Sequence, residues 1–395
     1  NVPAKFALPA GAVVPANGFL VLYEYQFNPA PGTAGSFAFS SARGDAVHLF
    51  EAAAGSGLTG QRASASFDAS AAGVSLGRFP TSQGIAFGAL ASRTFGADTP
   101  ADLAAFRSGT GAANSGPRVG PVVISEIHYR PPDLAGGTDN NRDEFIELRN
   151  LTSQPVALHV NGTPWRLRDA VDYAFPAGTV LNPGEIILVV SFDPVADTNA
   201  LQGFRDSFGL PTARLFGPWS GELNNAGDSV ELVRPDSPVT EPGPDFGYVP
   251  ILLVDRVRYE DGYPWPEAAD GGGFSLMRTV PGAYGNDPTN WFGWFPTPGL
   301  ANFVNLPPQV ALTSPAANTS VPPQQPVSVD LRDDLTGRLV ITTASGSSDG
   351  GGWLSDQNSD VATPCWKSPA GDSSVSCSRS EEHTSELQSP YVISY

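Results

Sequence analysis

Residues 121–150 read PVVISEIHYRPPDLAGGTDNNRDEFIELRN, and their patterning decides the fold. Two runs, Val122 to Tyr129 and Glu144 to Leu148, alternate apolar and polar residues at period two and are rich in Val, Ile, Phe and Tyr. That period belongs to strands, because successive side chains of an extended chain point to opposite faces. In the first run Val123, Ser125, Ile127 and Tyr129 share one face, and Ile124, Glu126 and His128 share the other. In the second, Phe145 opposes Ile146 and Glu147 opposes Leu148. The loop between them carries Pro131, Pro132, Gly136, Gly137 and Asp139, all turn formers. The pattern predicts two paired strands over 122–129 and 144–149.

Landmarks on either side recur in one order. KFALPAGAVVPANGFLVLY (5–23) echoes YAFPAGTVLNPGEIILVV (173–190), each a Pro/Gly turn leading into an apolar strand. SARGDAVHL (41–49) echoes NAGDSVEL (225–232), and GVSLGR (73–78) echoes GFSLMR (273–278). Three landmarks in the same order predict an internal repeat whose first copy lacks its opening strands. The segment TGAANSGPRVG (110–120) is small and Gly/Pro-rich, which is linker chemistry. In the second copy Ile186–Val190 is apolar on both faces and is expected centrally, and Leu201–Leu210 has helical spacing at Leu201, Phe204 and Phe208.

ISEIHY followed by EFIELRN, with Trp165-Arg166-Leu167 beyond it, resembles the lamin tail domain, an immunoglobulin-like β-sandwich. The resemblance implies an all-β chain of tandem immunoglobulin-like sandwiches: a partial lamin tail domain over 1–109, a linker at 110–120 and a complete one over 121–304. PPQVALTSPAANTSVPPQQPVSV resembles the first strand and turn of a bacterial Ig-like domain, set at 305–330. Residues 331–395 are poor in alternation and aliphatic residues and are read as a disordered or artefactual tail. Within it Arg379–Ser389, RSEEHTSELQS, resembles the conceptual translation of a sequencing adapter.

Composition fits this reading. The 395 residues suffice for two or three domains, and 43 Gly and 38 Pro with 16% charged residues suit a loop-rich β protein. A net charge of −18 argues against nucleic acid as partner, since phosphate binding needs clustered Lys and Arg. No run of about 18 apolar residues is present, so no membrane span is expected. Both cysteines, Cys365 and Cys377, lie in the tail, so neither a disulfide framework nor a Cys-based zinc site is expected to support the fold. The chain starts without Met and in the middle of a repeat copy, and is read as a fragment.

Few residues carry chemistry. Glu126 and His128 share a strand face near Glu147 and make the best acid–base candidate. No Ser or Cys nucleophile sits in an elbow motif, and the plainer reading is an exposed polar sheet face. Asp139, Asn141 and Asp143 alternate as calcium ligands do, but Glu144 stands where the turn glycine belongs and no bidentate Glu closes a twelve-residue loop. A solvated acidic loop is the plainer reading there, and no other cofactor is indicated. Trp165, Trp219, Trp265, Trp291 and Trp294 suggest a sugar platform or, more simply, the closed ends of a sandwich. The expected function is therefore a non-catalytic extracellular or cell-surface module that binds a protein or a cell-surface polymer. The alternative is an accessory fragment of a larger secreted enzyme, since lamin tail domains accompany nucleases and spore-coat-type kinase domains.

Overall fold

The computed structural model describes residues 5–52, 57–96, 100–209 and 214–300, and isolated strand segments from residue 309 onward. Asn1–Asn302 forms one compact unit and Phe303–Tyr395 another. At the start of the first unit stand two hairpins, β1 (Asp45–Ala52) with β2 (Leu58–Phe67), and β3 (Leu76–Thr81) with β4 (Gly84–Ala89). Single-turn helices α1 (Glu24–Phe27) and α2 (Leu103–Phe106) flank them.

The sandwich follows. One sheet has the order β14-β13-β6-β5-β18-β19, built from β5 (Val122–His128), β6 (Phe145–Asn150), β13 (Ile186–Val190), β14 (Arg214–Phe216), β18 (Ser275–Arg278) and β19 (Trp291–Trp294). Only its β13–β14 pair is parallel. The other sheet has the order β15-β11-β10-β16-β17, from β10 (Arg166–Asp169), β11 (Val171–Ala174), β15 (Ser220–Gly221), β16 (Gly227–Pro235) and β17 (Ile251–Glu260). Two-residue strands β7 (Val156–Ala157), β8 (His159–Val160), β9 (Thr163–Pro164) and β12 (Val180–Leu181) tie the connections.

Between the sheets lies one apolar core. Val122, Ile124, Ile127, Ile146 and Leu148 from the first sheet meet Leu167, Val171, Val230, Leu232 and Val257 from the second. Trp165, Trp219, Trp265 and Trp291 are buried in the same cluster, so they close the sandwich and offer no platform to a sugar. Helix α3 (Thr198–Phe208) covers the outer face of the first sheet, with Phe204 packed on Phe145, Leu188 and Val190. Asp197 caps its start by accepting from Ala200 N–H, and Gly209, at φ +65, turns the chain out of it.

The strand alternation holds only halfway along β5. A register shift falls between Ile124 and Glu126, so the face changes phase at Ser125. Val122 and Ile124 enter the core before it, and Ile127 and Tyr129 after it. A bulge adds one residue to one strand, which reverses the facing of everything beyond it. Simple period-two counting had placed Ile124 with Glu126 and His128; the bulge separates them.

One sandwich is built where two were expected. Among the described residues of 5–119 the strands form two separate two-stranded sheets. The apolar run Phe19–Leu22, the counterpart of Ile186–Val189, is not a strand. A strand needs a ladder partner, and β13 has β6 on one side and β14 on the other, whereas nothing pairs with 19–22. The second and third landmarks do keep their geometry. Gly44 at φ +82 would place a Cβ 2.1 Å from Phe67 O, and Gly227 at φ +118 would place one 2.9 Å from Tyr259 O. Both hairpins also shift register at the matching leucine, after Leu49 in β1 and after Leu232 in β16.

The hairpins rest on the sandwich rather than forming their own core. Ser82 donates from N and Oγ to the Asp287 carboxylate at 2.9 and 2.5 Å, and Phe79 meets Tyr284 edge-on at 5.0 Å. Arg43 pairs with Asp245 at 2.5 Å and lies over the Tyr248 ring. The expected linker 110–120 is also laid down, with Ala91 N–H donating to Gly116 O and Arg118 N–H to Ala89 O.

In the second unit the backbone shows antiparallel strands Gln309–Ser314, Ser328–Asp333 and Gly337–Thr342, and a second sheet of Trp353–Leu354, Thr363–Lys367 and Val375–Cys377. The first strand and the beginning of the second fall in the span 305–330 assigned to an Ig-like start. The rest of the tail, the adapter-like 379–389 included, lies outside the described residues.

Matched positions in the two hairpins predict unequal costs. Leu232 is 0% exposed and Leu49 is 49% exposed. Leu232→Ala should therefore cost about 2–5 kcal/mol and Leu49→Ala under about 1 kcal/mol in urea unfolding of the whole chain. Equal losses would mean that β1 is covered as β16 is.

Candidate functional site

The bulge at Ser125 turns Glu126 and His128 away from the core onto the outer face of the first sheet. That face is not exposed, contrary to the plainer sequence reading. Glu126, His128 and Glu147 are all buried, because α3 and the segment after β19 lie over them. Glu126 and Glu147 are direct cross-strand partners. Ser275 Oγ donates to Glu126 Oε1 at 2.5 Å, Thr297 N–H to the same oxygen at 3.0 Å, and Thr297 Oγ1 to Oε2 at 3.2 Å. Ser125 Oγ donates to Glu147 Oε1 at 2.6 Å and Gly299 N–H to Oε2 at 2.8 Å.

Two carboxylates side by side without water resist ionisation. Burial pushes Glu126 up to about 7, against the hydrogen bonds from Ser275 and Thr297. Burial, then the neighbouring Glu126 charge, pushes Glu147 well above the carboxylate range. His128 moves the other way. Burial lowers it to about 4, so the ring is neutral at pH 7, with Nδ1 3.2 Å from Asp143 O, tilted against Phe145 and edge-on to Phe208. It is a core histidine. Ser275 stands beside Glu126, but the pair is sealed under Thr297 and His128 makes no hydrogen bond to it.

The loop 130–144 separates the residues that the sequence grouped as metal ligands. Asp143 is committed: Asn140 Nδ2 donates to it at 2.9 Å, and Arg142 binds it at 3.1 and 3.3 Å. Asn141 is exposed, and its carbonyl accepts from Ser191 Oγ at 2.6 Å. Asp139 instead meets Asn225 Nδ2 at 3.3 Å, across the sandwich end. Among the described residues no three His, Cys, Asp or Glu side chains gather as a metal-binding group. The trio Asp139, Asn141 and Asp143 is thus dispersed, because one carboxylate serves to neutralise Arg142 and the other faces a different loop.

Glu144, which in the sequence stands only where a calcium loop's turn glycine belongs, is the acid left over. Its carboxylate is buried with no hydrogen-bond partner on either oxygen. Burial, then the charges of Asp139 and Glu222, raise it to about 9.

Comparison with known proteins agrees with the sandwich and its opening strands. Residues 116–240 match the Lamin Tail Domain family. The chain contains a lamin tail domain. The match runs from just before β5 into the loop after β16, while β17, β18 and β19 complete the two sheets beyond it. No second copy is matched. A solved structure of a DUF4876 family protein from Bacteroides thetaiotaomicron is similar at 13% identity, covering 60% of this chain and 84% of that one with a TM-score of 0.28. No curated protein matches.

In the sandwich the carboxylate pair acts as a clasp. It holds Thr297 and Gly299, and so fastens the segment after β19 to the first hairpin. Both glutamates take up protons more readily folded than unfolded, so their contribution is present at low pH and fades as pH rises from the ordinary value of 4.5 through about 7. Glu147→Gln keeps an acceptor for Gly299 N–H and removes the second charge. We expect it to flatten the fall in unfolding free energy between pH 5 and 8, read by urea titration at several pH values; a slope unchanged from wild type would refute the clasp.

Proposed function

We propose that this chain is a non-catalytic extracellular or cell-surface module, whose lamin tail domain presents sandwich ends and edges to a protein or cell-surface polymer. The observation that carries this reading is the burial of the acid–base groups. Glu126, Glu147, Ser275 and His128 are each almost fully covered, and their hydrogen bonds go to neighbouring strands and to the closing segment. A general acid or base must reach the proton that it moves. None of these four reaches solvent.

Other features support a binding role. The loop 133–139 is polar and exposed at one sandwich end, and loops on a rigid scaffold are where binding residues concentrate. β19 and β14 bound one sheet, and β15 and β17 the other, leaving edges on which an extended segment can add. The net charge of −18 disfavours nucleic acid. No helix among the described residues is long and apolar enough to cross a membrane.

We further read residues 1–109 as a second, strand-depleted copy of the same domain. The matched glycines Gly44 and Gly227 and the matched register shifts after Leu49 and Leu232 support this. Its β1 face is open where β16 is covered, with Val47 41% exposed against 0% for Val230.

The purified chain should sediment with insoluble cell-wall material or immobilised surface protein and should turn over no nuclease, phosphoester or peptide substrate. Glu126→Gln and His128→Phe should change its melting temperature without changing binding. Turnover by the wild-type chain that disappears in either variant would overthrow the non-catalytic reading.

A further inference from the structure

Among the described residues the buried carboxylates of Glu126, Asp143, Glu147, Glu231, Asp255 and Asp287 are each held by two or more donors. Glu144 is held by none. It is 1% exposed, and both of its oxygens are without a partner. A buried carboxylate without donors or a counter-charge is costly, and a native fold rarely keeps one without a ligand or ion to match it.

Both Glu144 oxygens face the interior with no donor of the protein on them. The residue follows the 3-10 turn Asn141–Asp143 and precedes β6, at the sandwich end where the β15–β16 connection also lies. Asp139 and Glu222 lie close enough for their charges to act on it. Asn225 bonds to Asp139 through its amide nitrogen, and its Oδ1 is buried without a partner. Asn140 Oδ1 is likewise buried and unpartnered. In the neighbouring β17, Tyr259 donates to Asn224 O at 3.1 Å and stacks on Tyr129, which fixes the 222–226 loop against the sandwich. The nearest arginine in the loop, Arg142, is spent on Asp143.

We propose that Glu144, Asp139 and the side-chain oxygen of Asn225 form a calcium site at this end of the lamin tail domain, joining the 130–144 loop to the 222–226 loop. The chemistry of the donors selects the ion. All are oxygens, which disfavours zinc, and they are irregularly placed on two loops, which suits calcium better than magnesium with its strict octahedron. Asp139 is exposed and loop-borne, so it can close on an ion that Glu144 holds from the buried side. The proposed set is two carboxylates, Glu144 and Asp139, with the Asn225 amide oxygen, and it does not need a preformed cage of three acids. The site differs from the Asp139–Asn141–Asp143 run, since Asn141 and Asp143 play no part in it.

The test uses the full chain, stripped with a chelator and titrated with calcium chloride by calorimetry at pH 7.5. One ion per chain should bind, in the range of about 10⁻⁴–10⁻³ M typical of extracellular modules. The melting temperature should rise with calcium, and magnesium at equal concentration should do much less. Glu144→Gln and, independently, the exposed Asp139→Asn should each weaken binding by at least about tenfold. Asp143→Asn should leave it within a factor of about two, since that carboxylate is not a ligand. A folded wild-type chain that binds no calcium at about 10 mM would overturn the site. So would a folded Asp139→Asn chain that binds as tightly as wild type, or an affinity lost only on changing Asp143.

Discussion

The extra residue at Ser125 is the constraint from which most of this sandwich follows. Without a bulge, β5 would carry Ile124, Glu126 and His128 on one face, and two charged or polar groups would enter the core. With it, Val122, Ile124, Ile127 and Tyr129 all face the second sheet. The polar remainder is turned outward, onto a face that must then be covered in its own right. α3 covers the half around His128 and Phe145, and Thr297 to Gly299 covers the half around the two glutamates. The clasp exists because the bulge put carboxylates where water does not reach.

A second buried polar group ties the two sheets at the same level. Ile124 N–H donates to Asp255 Oδ2 at 2.9 Å, and Arg278 Nη2 binds the same oxygen at 2.7 Å. The ladder between β5 and β18 covers only Ile127 and Glu126, so Ile124 looks across the sandwich for its acceptor. Asp255 stands at the register shift of β16 and β17, opposite Leu232. A bulge in each sheet therefore meets over one carboxylate. Desolvation raises that acid against the opposing pull of Arg278 and Ile124, and loss of the carboxylate would leave a buried arginine alone. Gly285 makes room for it, since a Cβ there would lie 1.8 Å from Arg278 Nη2.

Much of this was legible in the residues. The pairing of β5 with β6, the helix around Phe204 and Phe208, the buried Trp165 and Leu167 and the two-faced burial of β13 all follow from periodicity and apolar runs. The phase change at Ser125 was not legible, because a serine fits either face and nothing near it marks a bulge as Gly would. The burial of Glu126 and His128 was hidden for a different reason. Their cover comes from residues about 70 and 170 positions further along, and alternation reports only that one face differs from the other. Glu144 was passed over because its isolation depends on where Arg142 and Asn140 spend their hydrogen bonds, a matter of loop geometry rather than of spacing.

The two related hairpins separate what local sequence dictates from what it does not. β1–β2 and β16–β17 share a positive-φ glycine pressed against the opposite strand and a register shift after the matching leucine. Those features need only the hairpin itself, since the close approach excludes a Cβ and the shift is set between two adjacent strands. Burial needs a second sheet. Val230 and Leu232 have Ile124, Ile146 and Leu148 in the core they join, whereas Val47 faces only an open cleft shared with Leu76 and Phe87 of the two-stranded β3–β4, and Val47 and Leu49 stay exposed. The hairpins of residues 5–119 accordingly hold their shape through turns and cross-strand bonds and take their anchorage from Asp287, Tyr284 and Asp245 of the sandwich. Loss of that anchorage would leave two short hairpins joined by the Arg78–Ser64 hydrogen bond across an open cleft, too little covered surface to persist in water, so the sandwich stabilises the N-terminal segment and not the reverse.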